Sequence, residues 1–418
     1  MLRLTAVKMM GHEPIRYAGA GFGISLALFL VFLQSGFYFG FKRDITVVQD
    51  SFDADLWIAP QALLSFDYAV HLDDAAYWQA RNVPGVASAA RVVFDWSKWR
   101  IPGTGAKESV QVLGIEFDEG IRFDFGVPFE NAGALLRPDG HVLVDEKAAA
   151  KLGVKVPHFA SRSELLNRSN RRESALTSPE ERWSGLTSAA TEFTASQPRA
   201  EVEIHGRRAK VVGFVRGKKL FSTSCLVVTD FDNARRFLGL PAQHVSFVAV
   251  RCQAGADVDQ VAGRLQEALP EHDVFTARAL HDLTQHYWES RTGIGPILFL
   301  SAGLAALVGF LTVLLTFYLL TVQKLPVFAA LKALGASGSE IAAVIGLQAG
   351  VMFVAGSLVA GIALAAALAA LARTTISVVI SPTTALAVLG LIALASALAC
   401  VPALWKVVHL EPAEAFRA

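Results

Sequence analysis

The amino-acid sequence predicts a membrane α-helical protein with four transmembrane helices and a large α+β domain between helices 1 and 2. Three observations predict it. Four long stretches carry no charged residue: Tyr17–Phe41, Thr292–Gln323, Ile341–Ala372 and Thr374–Trp405. Each exceeds the roughly 20 apolar residues that a helical span needs. The first is separated from the other three by about 250 residues, enough for one or two folded domains. Within that interval, strand-like and helix-like runs alternate between turn signals.

Composition agrees. Of 418 residues, 53% are hydrophobic and 18% are charged, and the net charge is +1. That balance points away from a nucleic-acid partner and towards membrane lipid.

Residues 1–16 read as a cytoplasmic amphipathic helix. Leu2, Leu4, Val7, Met9 and Met10 mix with Arg3, Lys8, His12 and Glu13, as in helices lying in the membrane interface. Pro14 ends the pattern; a plain basic flank fits the same residues. Transmembrane helix 1 covers 17–41. It is longer than a signal-peptide core and runs on into Lys42-Arg43-Asp44, so it is expected to be retained.

Residues 42–291 form the α+β domain. Strands are expected at Arg91–Trp99, Ser109–Phe117, His141–Val144, Glu201–His205, Ala209–Val215, Ser224–Thr229, Ser246–Cys252 and Asp273–Thr276, with a hairpin turn at His205-Gly206. Helices are expected at Asp73–Arg81, Asp145–Leu152 and Asp230–Leu238, each with an Asp placed to cap its start. Residues 257–269 and 278–291 read as stalk helices. They bring Tyr287 and Trp288 to the outer interface, where aromatic side chains favour the headgroup level. Residues 161–199, rich in Ser, Arg, Glu and Ala, read as a mobile insertion.

Helices 2, 3 and 4 follow at 292–323, 341–372 and 384–405. They are joined by a loop at 324–340 and a short outer turn at 373–383, and residues 406–418 form the tail. Basic residues in the short flanks (Arg3, Lys8 and Arg16; Lys324 and Lys332; Lys406 and Arg417) orient the chain. Both termini and the 324–340 loop are expected inside, with the large domain outside.

The spans carry small residues four apart: Gly19 and Gly23, Gly36 and Gly40, Gly346 and Gly350. Such pairs let helix backbones approach closely, so Gly36, Gly40, Gly346 and Gly350 are candidate packing positions. No span has a charge at its middle, which argues against an ion-coupled carrier. Gln34 and Gln348 are the most polar side chains at depth and are expected to bond between helices. Cys400 is expected in the span interior. Cys225 and Cys252 are read as buried thiols, since a disulfide would need neighbouring strands.

Catalytic motifs are missing. The chain has no G-x-x-x-x-G-K-[ST] loop for ATP, no G-x-S-x-G and no H-E-x-x-H. His281, Asp282 and His286 read as a solvated helix face, because His at i and i+5 do not share a face. Asp53, Asp55, Asp73 and Asp74 read as turn and cap residues. Neither catalytic nor metal-ligating residues are assigned.

The informative motif lies in the loop after helix 2, Lys324-Leu-Pro-Val-Phe-Ala-Ala-Leu-Lys-Ala-Leu-Gly-Ala-Ser337. It predicts a short helix ended by Gly335 at a C-cap position, with Ser337 capping the next span. Local physics allows two readings, a docking knob for another protein or a tight connector between spans.

The 1 + 3 spans, the outer domain after span 1, the Lys-Ala-Leu-Gly-Ala-Ser loop and the Leu410-Glu-Pro-Ala-Glu-Ala-Phe-Arg417 ending resemble permeases of the MacB/FtsX/LolC class (type VII) of ABC transporters. The order of parts looks most like the DevC type. One departure is Pro326-Val327, which stands where the class often has an Arg-Glu pair. The resemblance implies a bacterial inner-membrane permease working as a homodimer with a separate ABC ATPase. ATP and magnesium would be bound on that partner, and this chain would bind no cofactor. A periplasmic adaptor and an outer-membrane channel are further implied partners. Phe328, Ala330, Leu331, Lys332, Ala333, Leu334, Gly335, Ala336 and Ser337 would couple to the ATPase. Movement would pass to the periplasmic domain and expel a periplasmic or outer-leaflet substrate such as a lipid, amphiphile, peptide or drug. An FtsX-like permease that signals ATPase state to a periplasmic enzyme without transport is the alternative.

Overall fold

The structure is a computed structural model and describes residues 14–68, 70, 72–117, 120–126, 132–155, 200–218, 220–221, 225–241, 243–371 and 377–408. The expected amphipathic helix within 1–16, the insertion at 161–199 and the end of the tail fall outside these residues, apart from the helical start at Pro14. The chain divides into two compact units, 43–291 on the one hand and 1–42 with 292–418 on the other.

The helical unit begins with α1 (Pro14–Asp44). In the other unit, β1 (Leu56–Pro60), β2 (Leu72–Asp73), α2 (Ala75–Arg81), β3 (Val86–Arg100), β4 (Lys107–Ile115), α3 (Ala132–Leu136) and β5 (His141–Asp145) come first. Then follow β6 (Ala200–Ile204), β7 (Arg207–Val215), β8 (Leu226–Asp230), α4 (Phe231–Leu238), β9 (His244–Val245), β10 (Phe247–Cys252), α5 (Val258–Ala268), β11 (His272–Thr276) and α6 (Ala277–His286). A π-helical turn, Tyr287–Arg291, closes the unit. The helical unit resumes with α7 (Ile294–Gln323), α8 (Leu325–Ala333), α9 (Gly338–Leu371) and α10 (Pro382–Val408).

One mixed sheet organises the domain, in the order β11-β1-β10-β3-β4-β8-β5-β7-β6. The pairs β4–β8 and β5–β7 are parallel and the rest antiparallel. The sheet also closes on itself. Trp99 and Arg100 of β3 pair with Ile204 and Glu203 of β6, so six strands form a ring. The 15-residue β3 belongs to both parts. Its first half pairs with β10 and its second half with β4.

Both faces of the sheet are buried, which explains the long apolar runs in these strands. On one face Trp99, Val110, Val144, Ile204 and Phe237 pack with Tyr77 and Leu265. Trp99 donates its indole N–H to the Leu152 carbonyl at 3.1 Å. On the other face Trp57, Phe66, Phe94, Leu113 and Phe247 pack with Leu280. There Phe66 and Phe247 stack at 4.4 Å.

The expected hairpin is present. His205 and Gly206 both have positive φ, 49° and 76°, as a two-residue type I′ turn requires. Asp230 caps α4 by accepting from the Asp232 N–H. Asp73 accepts from the Ala75 N–H at the start of α2. The expected helix at Asp145–Leu152 does not form. The N–H groups of Ala148 and Ala149 both bond the Asp145 carbonyl, and Val154 N–H bonds the Ala149 carbonyl across left-handed Gly153. The chain makes separate turns there, ended by left-handed Gly153.

Two strands, β4 and β3, separate β8 from β10. Cys225, just before β8, and Cys252 on β10 are not in a disulfide; Cys225 is buried as expected, whereas Cys252 is only half-buried. Three strand spacings of about 4.8 Å exceed the roughly 7 Å that a disulfide tolerates between Cα atoms.

The edge strand β11 is covered by its own domain. Gln266 of α5 accepts from the Val274 N–H at 3.0 Å and donates to the His272 carbonyl at 2.7 Å.

Candidate functional site

The loop motif folds as expected into α8, and its two ends are tightly specified. Lys324 is the elbow between α7 and α8. Its N–H bonds the Thr321 carbonyl, and its carbonyl accepts from the Phe328 N–H. Pro326 sits in the first turn of α8, where a missing N–H costs nothing.

The C-terminus of α8 is a complete Schellman motif. Ala336 N–H bonds the Leu331 carbonyl, Gly335 N–H bonds the Lys332 carbonyl, and Gly335 has φ of +95°. A capping box follows at once. Ser337 Oγ accepts from the Glu340 N–H at 3.3 Å, and Glu340 Oε2 accepts from the Ser337 N–H at 2.8 Å. The two motifs leave α8 no freedom to slide against α9 without breaking a cap.

The candidate coupling residues separate into two groups. Phe328 is 1% exposed and packs in the helical core with Phe317, Ile341 and Ile345. Its expected docking role is therefore corrected to that of an anchor, since burying a Phe side chain is worth about 1.5–3 kcal/mol. Leu331 and Ala336 are partly buried against the same core. Ala330, Ala333, Leu334, Gly335 and Ser337 face outward. Lys332 is half-buried. Leu334 is 85% exposed, and Val327 is exposed at the other end of α8.

Lys324, counted above among the basic flank residues that orient the chain, is only 7% exposed. It lines a small cleft with Tyr17 of α1, Thr321 of α7, and Gln348 and Met352 of α9. Sequence reasoning missed this cleft, because the residues are far apart in the chain. The expectation for Gln34 is met, since Ser301 of α7 donates to its Oε1 at 3.2 Å.

The glycine pairs behave differently from one another. Gly36 and Gly40 permit a close approach, but the partner is the extended segment 377–380 rather than a helix. A Cβ at Gly40 would strike the Ser377 carbonyl, and one at Gly36 would strike the Val378 side chain. Gly346 and Gly350 have nothing within 4 Å, so the expected packing role is not met within this chain. Gly309 and Gly356 were not singled out, yet Gly309 lies against Ala27 and Val31, and Gly356 against Ile24.

In the other unit His281 pairs with Asp50 at 2.9 Å and with Gln285. Among the described residues no group of three or more His, Cys, Asp or Glu is placed to hold a metal. Asp53 pairs with Arg251 at 2.7 Å, and Asp55 accepts from the Cys252 N–H. Both fasten the start of β1.

Among the described residues four helices are long and apolar enough to cross a membrane, and the short helix α8 stands between the second and third. That arrangement is the one expected of a membrane-spanning protein. Residues 299–412 match the family described as FtsX-like permease C-terminal. No curated protein matches the chain. Among solved structures, the extracellular domain of the noncanonic ABC-type transporter YknZ from Gram-positive bacteria is similar at 12% identity, over 53% of this chain and 99% of that one, with a TM-score of 0.31. The periplasmic region of MacB from Actinobacillus actinomycetemcomitans is similar at 10% identity, over 60% of this chain and 98% of that one, with a TM-score of 0.32. At such scores the likeness decides nothing about the fold, which rests on the strand order above.

Proposed function

We propose that this chain is the permease subunit of an ATP-driven ABC exporter that works by mechanotransmission. The observation that carries the proposal is α8: a helix closed by a Schellman motif that runs straight into the capping box of α9, anchored by Phe328 and offering Leu334 outward, inside the stretch that matches the FtsX-like permease family. A rigid knob between two spans suits a partner that pushes. The partner is a separate ABC ATPase holding ATP and magnesium, with two permease copies in the bacterial inner membrane and both termini cytoplasmic. The cargo is a periplasmic or outer-leaflet lipid, amphiphile, peptide or drug.

The test is purification of the tagged chain in mild detergent, with mass spectrometry of its partners and site-directed crosslinking from position 334. An ATPase crosslinked to position 334, together with an adaptor or outer-membrane channel, supports the exporter. A periplasmic hydrolase in place of the adaptor supports the signalling permease instead. If no ATPase crosslinks, the coupling role of α8 is wrong.

A further inference from the structure

The chain enters the sheet domain through residues 45–68 and leaves it through α6 and the π turn at Tyr287–Arg291. Those two segments are laced together by buried polar contacts. Thr284 of α6 donates to Gln49 Oε1 at 3.0 Å and accepts from the Phe66 N–H at 3.3 Å. Four residues on, Trp288 donates its indole N–H to Asp67 Oδ2 at 3.0 Å. Asp67 is 8% exposed and Trp288 5%. The rings of Tyr68, Phe221 and Tyr287 surround Trp288 at 5.7–6.2 Å.

A carboxyl buried this deeply is costly unless something holds it there. The Asp67 carboxyl is pushed up to about 6 by burial, and the side chains of Trp288 and Gln111 pull it back down. Neither is charged. Tyr68, held above its ordinary value chiefly by its own burial, is the titratable neighbour. His281 and Asp50 pair with each other nearby.

The π turn explains why this contact matters. Bonding of the i→i+5 kind inserts one extra residue into a helix, and such turns concentrate at functional sites. Returning to α-helical bonding would rotate the residues that close the turn, up to the bend at Thr292 and left-handed Gly293, by about one residue, roughly 100°. Trp288 lies inside the turn, so its bond to Asp67 ties the turn to the domain at a fixed register. Ile294, where α7 begins, is six positions later.

We infer that the Asp67–Trp288 hydrogen bond is a latch that keeps the π turn wound, and that releasing it lets the outgoing helix rewind and turn the chain leading to α7. The latch stands on the geometry of one domain. Its use in force transmission rests on the permease reading.

The test is amide hydrogen exchange on the full chain in lipid nanodiscs at pH 7.5, without any ATPase, so that failure of the latch and failure of the permease reading are separable. Asp67→Ala should speed exchange of the 284–291 amides about tenfold or more, with β3 and β4 unchanged. Asp67→Asn keeps an acceptor for the indole and should leave those amides protected. Trp288→Phe keeps the ring bulk, should deprotect the same amides, and should raise the Asp67 titration midpoint above that of the unaltered chain. The last readout separates a latch from mere packing, and Trp288→Phe also serves if Asp67→Ala does not fold. Unchanged 284–291 exchange in Trp288→Phe, or equal loss of protection across β3 and β4, overturns the inference.

Discussion

Val379 donates its backbone N–H to the carbonyl oxygen of Gly36 at 3.0 Å, so an extended strap lies along α1 where a second helix was expected. The strap approaches the helix backbone because Gly36 and Gly40 have no side chains there. Gly40→Ala should lower the melting temperature of the detergent-solubilised chain by several degrees, since the Ser377 carbonyl is backbone and overpacking costs about 1–3 kcal/mol. Gly346→Ala and Gly350→Ala meet open space and gain helix propensity of about 0.5–1 kcal/mol. Scanning fluorimetry of the three variants decides it. Equal losses in all three would show that the strap is not what sets Gly40 apart.

Leu334 and Phe328 lie on one short helix but have opposite surroundings. Leu334→Asp should leave the melting temperature within about 1 °C, since an exposed substitution changes little. It should also abolish ATPase stimulation by the permease. Phe328→Asp buries an unpaired charge and should destabilise the helical unit by several kcal/mol. Full stimulation by a folded Leu334→Asp chain would remove the docking role.

Arg91 clamps the middle of the sheet domain. It bonds both oxygens of Glu116, at 3.0 and 2.6 Å, and its guanidinium lies over the rings of Phe231 and Tyr77 at 4.7 and 5.0 Å. Lysine keeps the charge but offers neither the planar fork nor the stacking face. Arg91→Lys should cost about 1–2 kcal/mol in chemical denaturation of the domain, a charged hydrogen bond being worth roughly that much. No loss would mean that the side chain is held by charge alone.

Two buried carboxyls give the domain a pH signature. Asp67 and Asp145 are each pushed from 3.8 up to about 6, chiefly by burial. A raised acid binds its proton in the folded chain before the unfolded chain does. Stability should therefore rise as pH falls from about 6 to about 4. Asp230 is raised by burial too and acts in the same direction. Asp124 and Asp139, lowered by Lys218 and Arg236, withdraw support only below the ordinary carboxylate range. Denaturation midpoints should be higher at pH 5 than at pH 7.5, and Asp67→Asn with Asp145→Asn should flatten that difference. A midpoint that falls towards pH 5 would contradict the assignment.

Much of this architecture is written in local chemistry. The charge-free spans, the His205-Gly206 turn, the Asp230 cap and the Gly335–Ser337 junction each depend on neighbours a few residues away. What escaped reading depends on distant partners. β1 hides as Leu-Trp-Ile-Ala-Pro behind two aspartates that look like a turn, yet it is buried between β10 and β11. Lys324 reads only as an orienting basic flank because nothing local says that Tyr17 and Gln348 will line a cleft around it. The Asp67–Trp288 contact spans 221 residues, and no periodicity reports such a meeting.

The amide of Gln266 occupies one donor and one acceptor that β11 would otherwise present to a neighbour. An unguarded sheet margin is a template on which another chain can add a strand. With that margin partly occupied, a protein that joins this domain there has to rely more on the shape and chemistry of its side chains. Its specificity then lies in sequence rather than in the generic grammar of backbone pairing, and such a surface can be re-addressed to a new partner by a few substitutions.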